Sequence, residues 1–164
     1  VNKFFNIDQS DSFDFEYVNK SDKELIRENV FGSGVDVIRY LPGNRSPLPI
    51  MDKAVPGGII YGPKMVTTIL NSKTATIATD KPVLAGTTLS FKTKTLVEAE
   101  KLKLFFANNK ALEFLSRKAK FKSKAKALTY IKKFDLMQIC SGVEYPKEWN
   151  LTQAEIDYIE DGIK

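Results

Sequence analysis

The change of hydrophobic period near Thr93 constrains the fold of this chain more than any other feature of its sequence. Between Gly58 and Thr93, short segments rich in Val, Ile and Thr are separated by pairs typical of turns, a pattern that predicts strands. After Thr95, apolar residues recur at helical spacing as far as about Lys118. A run of strands followed by helices predicts an α+β fold, with a small mixed or antiparallel sheet and packed helices.

The individual elements can be predicted from local signals. Thr95 and Glu98 have capping-box spacing at the start of the predicted helix, as do Ser21 and Glu24 before a short helix over residues 21–29. Thr152 is the expected N-cap of a closing helix through residue 159. The conformation of residues 118–126 stays open, because their sequence is compatible with either a helix or a strand. Strands are predicted over residues 35–41, 59–61, 64–70, 74–79, 82–92 and 134–140.

Length and composition favour one globular domain over residues 1–164. The chain has 164 residues, 43% of them hydrophobic, which is enough to bury a core without covalent cross-links. Cys140 is the single cysteine, so an intrachain disulfide is excluded, and it is expected to be buried as a small apolar residue. Neither a signal peptide nor an apolar run of about 18 residues is visible, so we expect a soluble, cytoplasmic protein. Because Val1 replaces an initiator Met, we expect processing or excision from a longer chain.

The sequence offers no recognisable catalytic motif. Histidine is absent, which excludes His-dependent catalysis and the usual zinc sites. Residues 57–64 resemble a phosphate-binding loop, but Pro63 separates its last glycine from Lys64 and Met65 replaces the expected hydroxyl residue. The glycines of residues 31–36 lack a preceding strand, so they predict a turn. A carboxylate-lysine nuclease site is disfavoured because no Asp or Glu has Lys at the second following position.

The charge distribution predicts a polyanionic partner, which we expect to be double-stranded DNA. Within a net charge of +5, residues 1–30 sum to −3 and residues 134–164 to −5, so residues 31–133 carry +13. Residues 116–133, which we call the basic segment, contain eight of these cations and no carboxylate. Such a concentration attracts nucleic acid through phosphate contacts, although it is also typical of a solvated surface helix. The candidates for phosphate contacts are Arg117, Lys118, Lys120, Lys122, Lys124 and Lys126.

A second set of candidates could read base edges in the major groove. Arg pairs well with guanine and Asn with adenine. These residue types occur at Arg39 and in the Gly/Pro-rich stretch at Asn44 and Arg45. An ordinary polar loop is the alternative interpretation for Asn44 and Arg45.

Two segments resemble the C-terminal target-recognition region of adenine-specific DNA methyltransferases of restriction-modification systems. The first runs from Glu98 to Leu115 and contains Phe105-Phe106 and Asn108-Asn109-Lys110. The second begins at Trp149 and continues through Leu151-Thr152-Gln153-Ala154-Glu155-Ile156 to Glu160, although only Asn150 separates Trp149 from the helix where the family usually has an acidic stretch. With the preceding strands, the resemblance covers residues 61–164, and residues 1–60 stay unassigned.

The resemblance implies recognition of DNA without catalysis in this chain. The family's Asn-Pro-Pro-Tyr type motif and its glycine loop for S-adenosylmethionine are absent from the sequence. A catalytic methyltransferase domain in the same parent chain would therefore bind S-adenosylmethionine, and this chain would bind no cofactor. The matched residues Trp149, Leu151, Ile156 and Ile159 are expected to form core. An alternative is a methyltransferase-derived interaction module that docks onto a restriction or modification partner through its acidic termini.

Overall fold

A computed structural model describes residues 3–18, 35–43, 46–54, 59–68, 76–84, 88–121 and 123–164. Within these residues the protein is α+β, as predicted, with antiparallel strand pairs and four α-helices. Its backbone contacts divide the chain into two compact units. One unit comprises Val1–Asp14 and Glu100–Lys164, and we call it the helical unit; the other, Phe15–Ala99, we call the sheet unit.

The sheet unit contains six described strands. Four form a sheet in the order β1-β6-β4-β5, with every neighbouring pair antiparallel, and β2 and β3 form a separate antiparallel pair. The strands are β1 (Phe15–Val18), β2 (Val35–Tyr40), β3 (Ile50–Ala54), β4 (Lys64–Thr68), β5 (Ile77–Thr79) and β6 (Thr88–Lys92).

The two central strands of the sheet are the buried part of this unit. Strands β4 and β6 are buried along four of their five residues, and Met65 pairs with Phe91 across them. Val66, Ile38 and Val83 belong to one apolar cluster of this unit. Burial of such side chains stabilises the fold by about 25 cal/mol per Å² of apolar surface removed from water.

Lys64 is a charged residue in this buried region. Its side chain is fully buried at the start of β4. The Nζ atom donates to the carbonyl oxygens of Gly62 at 2.8 Å and Lys81 at 2.7 Å. These bonds tie together the turns before β4 and after β5, because a buried ammonium group is costly unless it is hydrogen-bonded.

The helical unit is built around aromatic side chains. Trp149 is 2% exposed, and its ring lies 5.2 Å from that of Phe4, 5.5 Å from Phe134 and 6.0 Å from Phe105. Two short 3-10 helices, Leu136–Gln138 and Lys147–Trp149, accompany the α-helices. The α-helices are α1 (Leu96–Asn108), α2 (Lys110–Lys118), α3 (Lys124–Leu128) and α4 (Gln153–Asp161).

Several predicted elements are confirmed. The strand predicted over residues 35–41 is β2, and the closing helix is α4 with a complete capping box between Thr152 and Glu155. Trp149 and Ile159 are buried, whereas Leu151 and Ile156 are only partly buried. The helix predicted over residues 21–29 and the glycines of residues 31–34 lie outside the described residues.

Three predictions near the helices are corrected. The single helix expected to continue to residue 118 is interrupted at Asn109, whose side chain caps α2. The strand expected over residues 134–140 is wrong, because the Asp135 carboxylate accepts the amide of Met137 and begins a 3-10 helix. Cys140 is exposed rather than buried.

None of the helices in the described part of the chain is long and apolar enough to cross a bilayer.

Candidate nucleic-acid interface

The basic segment begins in the last turn of α2 and continues through α3. Arg117 and Lys118 occupy the last turn of α2, where positive charge is favoured by the helix dipole. Ser123 accepts the amide of Lys126 and caps α3, so the alternating lysines form a short helix rather than a strand. Between the helices, Lys120 has a positive φ of 55°. The end of α2 and the start of α3 therefore determine where these cations lie along the backbone.

Arg117 and Lys124 both have hydrogen-bond and ion-pair partners within the protein. The Nε atom of Arg117 lies 2.9 Å from Oε1 of Glu113, and its Nη1 atom donates to the carbonyl oxygen of Ile163 at 2.8 Å. Lys124 Nζ lies 3.8 Å from the other Glu113 oxygen, Oε2. Both cations therefore share one carboxylate.

Lys124 is also partly buried. Its Nζ atom donates to the carbonyl oxygen of Ala107 at 3.2 Å, close to the end of α1, and lies 5.4 Å from the centre of the Phe106 ring. Burial lowers the pKa of Lys124, and the charge of Glu113 opposes that effect. These contacts assign Lys124 to helix packing rather than to an open phosphate-binding position.

Three of the predicted phosphate contacts, Lys118, Lys120 and Lys126, lie on the exposed surface of the basic segment, as does Lys133. All three side chains are exposed, and none makes an ion pair or hydrogen bond with another described residue. Their ammonium groups are thus directed to solvent without a neutralising carboxylate in that part of the chain. We call these three residues the open lysines.

Of the remaining candidates, the structure describes only Arg39. Arg39 lies on β2 of the sheet unit, where its Nη1 atom is 2.8 Å from Oδ2 of Asp52 on β3. A guanidinium already paired with a carboxylate is poorly placed for base reading. Asn44, Arg45 and Lys122 lie outside the described residues.

The matched Asn108-Asn109-Lys110 motif organises the helical unit. Asn109 is 1% exposed, and its Oδ1 atom accepts the amides of Ala111 and Leu112 at the start of α2. Its Nδ2 atom donates to the carbonyl oxygens of Gly142 and Glu144. Asn109 therefore caps a helix and holds a distant loop at once.

That loop contains an internal anion-binding arrangement which the sequence did not predict. The Glu144 carboxylate accepts the backbone amides of Cys140, Ser141 and Gly142 at 2.8–3.0 Å. Burial acts to raise the pKa of Glu144, but these amide hydrogen bonds outweigh it and hold the pKa at about 2. The local excess of Gly and Ser is the only sequence signal for such a loop.

Gly142 brings the loop against α1. Its φ is +94°, and an added Cβ would lie 2.1 Å from the carbonyl oxygen of Leu104. Only glycine combines this backbone conformation with so close an approach. The loop position is thus determined by Gly142 on one side and Asn109 on the other.

Three partly exposed aromatic rings form a ladder, two of them within the basic segment and the third near the start of the chain. The ring centroids of Phe121 and Tyr130 are 5.0 Å apart with an interplanar angle of 29°, and those of Phe5 and Tyr130 are 5.9 Å apart at 24°. We call Phe5, Tyr130 and Phe121 the aromatic ladder. The aromatic residues between lysines in residues 118–133 were its visible signal, but the contribution of Phe5 depends on a long-range contact.

The helical unit also has an apolar groove on α4. Its volume is about 260 Å³, and Tyr158, which is 69% exposed, stands at an angle to Phe114 inside it. The acidic residue Glu155 lies on the same groove. The other lining residues are Phe4, Leu151, Ala154 and Ile159.

A metal centre is not indicated, since no group of three or more Asp, Glu or Cys side chains in the described residues could hold an ion. Comparisons of the chain with protein-family models, with curated proteins and with solved structures each returned no match.

Proposed function

We propose that this chain is a DNA target-recognition domain of an adenine-specific DNA methyltransferase of a restriction-modification system, without catalytic activity of its own. The observation that carries the DNA-binding part is the set of open lysines, Lys118, Lys120 and Lys126. Three exposed ammonium groups on a short segment match the repeating charge of a phosphate backbone. Duplex DNA is the expected partner.

The distinction between open and engaged cations sharpens this proposal. Arg117 and Lys124 already have Glu113 as a counter-charge. Removing either would leave Glu113 less well compensated and would disturb packing as well as charge. The open lysines can contact phosphate without giving up an internal partner. They are accordingly the phosphate contacts that we propose.

The methyltransferase part rests on the resemblance of residues 98–115 and 149–160. In such an enzyme the adenine leaves the duplex while a separate region grips the surrounding DNA. The catalytic domain of the parent chain would supply the S-adenosylmethionine site and the reacting groups. An Asn-Pro-Pro-Tyr type motif encoded upstream of this chain in the same reading frame would support the assignment. A complete gene lacking that motif would contradict it.

A salt titration tests DNA binding. Affinity for a mixed-sequence duplex should fall linearly on a log-log plot of binding constant against salt concentration, since each phosphate contact releases counterions. Replacing Lys118, Lys120 and Lys126 together with Ala should lower the magnitude of the slope by up to about three units, or about one per lost contact.

A charge-matched control separates specific contacts from net charge. Lys81, Lys94 and Lys147 are also exposed and lie outside the basic segment. Their triple Ala variant removes the same charge and should retain the wild-type slope. Equal slopes for the two triple variants would remove the open lysines from the interface. Undetectable binding of the wild-type protein at low salt would overturn the DNA-binding proposal itself.

The second candidate is a protein-interaction module, and the groove on α4 is the observation that favours it. An exposed Tyr158 within an apolar groove is typical of a contact residue. In that case, the chain should form a stable complex with a restriction or modification subunit encoded beside it. Size-exclusion chromatography should then detect the complex, and Tyr158→Lys should abolish it. Salt-dependent DNA binding with no such complex would exclude this alternative.

A further inference from the structure

We propose that the aromatic ladder of Phe5, Tyr130 and Phe121 is a stacking site for unpaired bases of DNA. This inference rests on the proposed DNA binding and deepens it by stating that the helical unit prefers single-stranded to double-stranded DNA. Aromatic side chains beside a basic surface are the usual platform for single-stranded nucleic acid, because every base has a π-face. Bases inside a duplex are already stacked on one another and cannot use such a platform.

The geometry of the ladder suits stacking. The two ring pairs share Tyr130 and have interplanar angles of 24° and 29°, which is close to parallel. In the core of the same unit, by contrast, Phe134 meets Trp149 edge to face at 87°. All three ladder residues keep part of their surface exposed. Part of the ladder is therefore open to solvent and to a ligand.

Backbone hydrogen bonds hold each ring of the ladder in place. The Asn6 amide donates to the carbonyl oxygen of Tyr130 at 2.8 Å, and Phe5 pairs with Ile131 across an antiparallel bridge. The Phe121 amide donates to the carbonyl oxygen of Ser116 at 3.3 Å. Because the rings are ordered before binding, a base that stacks on them costs less side-chain entropy.

The nearby charges favour the Phe121 end of the ladder as the place where a base stacks. Lys120 directly precedes Phe121, and Lys126 lies one helical turn before Tyr130. The charge around Phe5 is mixed, because Asp8 and Asp11 lie on its segment together with Lys3, and Lys132 pairs with that segment. Phosphates flanking a stacked base would therefore be attracted more strongly to the Phe121 end. Phe121 is accordingly the ring on which we expect a base to stack.

The test compares a single-stranded oligonucleotide with a duplex of the same sequence by fluorescence anisotropy at fixed salt. The single strand should bind more tightly. Phe121→Leu keeps apolar volume but removes the π-face, so it should weaken single-strand binding by about fivefold or more. The duplex affinity and the salt slope should both stay unchanged. Phe121→Tyr should restore single-strand binding.

Tyr61→Leu is the matched control, since Tyr61 is an exposed aromatic outside the ladder and the α4 groove. It should leave both affinities unchanged. Equal loss of single-strand and duplex binding in Phe121→Leu, or no loss of either, would overturn the stacking site while leaving the open lysines intact. No binding to either nucleic acid by the wild-type protein would instead overturn the proposed function.

A wild-type measurement keeps the proposal testable if Phe121→Leu fails to fold. A single strand containing 5-bromodeoxyuridine can be crosslinked to the protein with ultraviolet light and the attachment sites mapped by mass spectrometry. Attachment at Phe121 or Tyr130 is expected. Attachment confined to other peptides would overturn the stacking site.

Discussion

The side-chain nitrogen of Asn109 lies 2.9 Å from the carbonyl oxygen of Glu144, 35 residues further along the chain. The same side chain accepts two amides at the start of α2 through its Oδ1 atom. One buried residue thus joins the beginning of a helix to a loop that no local signal places there. Both contacts depend on an amide, which donates and accepts hydrogen bonds at the same time.

Asn109→Ala should therefore destabilise the protein more than the loss of an ordinary helix cap. Losing the cap costs about 1 kcal/mol, and the buried carbonyl groups left without a donor add about 1–3 kcal/mol. We expect a decrease of roughly 2–4 kcal/mol in the unfolding free energy measured by urea titration. Asn108→Ala is the control, because Asn108 is exposed and makes one bond, to the carbonyl oxygen of Ser141. Similar losses in both variants would contradict the double role.

Gly142→Ala should be more damaging than Gly62→Ala. Both glycines have positive φ, +94° and +82°, so both variants incur backbone strain of about 1–2 kcal/mol. A Cβ at position 142 would also meet the backbone of Leu104 at 2.1 Å, whereas nothing lies within 4 Å of one at position 62. Moving a helix backbone adds about 1–3 kcal/mol. Thermal unfolding of both variants checks this order, and equal losses would mean that the loop moves freely away from α1.

The buried Lys64 should make the protein more stable as pH rises through the mildly alkaline range. Burial lowers its pKa to about 8 from the usual 10.5, while the charge of Asp80 opposes this effect. Between these pH values the unfolded chain binds more protons than the folded one, so the unfolding free energy rises with pH. Below pH 8 both states are protonated and the contribution of Lys64 is constant.

Urea titrations from about pH 8 to pH 9.5 should detect the rise in wild type and its absence in Lys64→Met. Measurements stay below pH 10 because burial raises the pKa of Tyr145 to about 12, which acts in the opposite direction at higher pH. Lys94→Met removes an exposed lysine and should keep the wild-type rise. A wild-type slope in Lys64→Met would show that another group causes it.

Acid should weaken the loop held by Glu144. The pKa of Glu144 is lowered to about 2 from 4.5, so its stabilising contribution is present above pH 4.5 and is lost as pH falls toward 2. Glu144→Gln should therefore be less stable at neutral pH and less sensitive to acid. Glu155 is a second carboxylate whose pKa is lowered to about 2, chiefly by a hydrogen bond from Lys3. Glu155→Gln therefore tests the same effect of acid at an independent site. Glu144→Gln and Glu155→Gln together should flatten the acid profile further, and a profile unchanged in either single variant would contradict its assignment.

Local sequence signals predicted elements that begin and end through their own side chains. Thr152 and Glu155 form the capping box that their spacing indicates, and β4 and β6 are buried strands within the segments predicted as strands. The same logic failed where a polar side chain interrupted an apolar period. The apolar stripe continues past Asn109, but α1 ends at Asn108 and the Asn109 side chain caps α2. Phe134 and Ile139 suggested a strand, but Asp135 between them caps a 3-10 helix.

The candidate interface was predicted from charge alone, and the structure adds the partners of its cations. The sequence treats Arg117, Lys118, Lys120, Lys122, Lys124 and Lys126 as equivalent, because it does not show which carboxylates lie near them. Folding brings Glu113 within reach of Arg117 and Lys124, whereas no described carboxylate pairs with Lys118, Lys120 or Lys126. The aromatic ladder escaped prediction for a related reason, since Phe5 reaches Tyr130 only through pairing of chain segments far apart in sequence.

The close approach of Gly142 to Leu104 also has an evolutionary consequence. Exposed lysines can be exchanged in descendants of this chain, because their replacement leaves the packing undisturbed. Position 142 has no such freedom, since every side chain would strike a helix backbone. We expect distant relatives to preserve glycine there, together with an amide at position 109, after the basic segment itself has diverged.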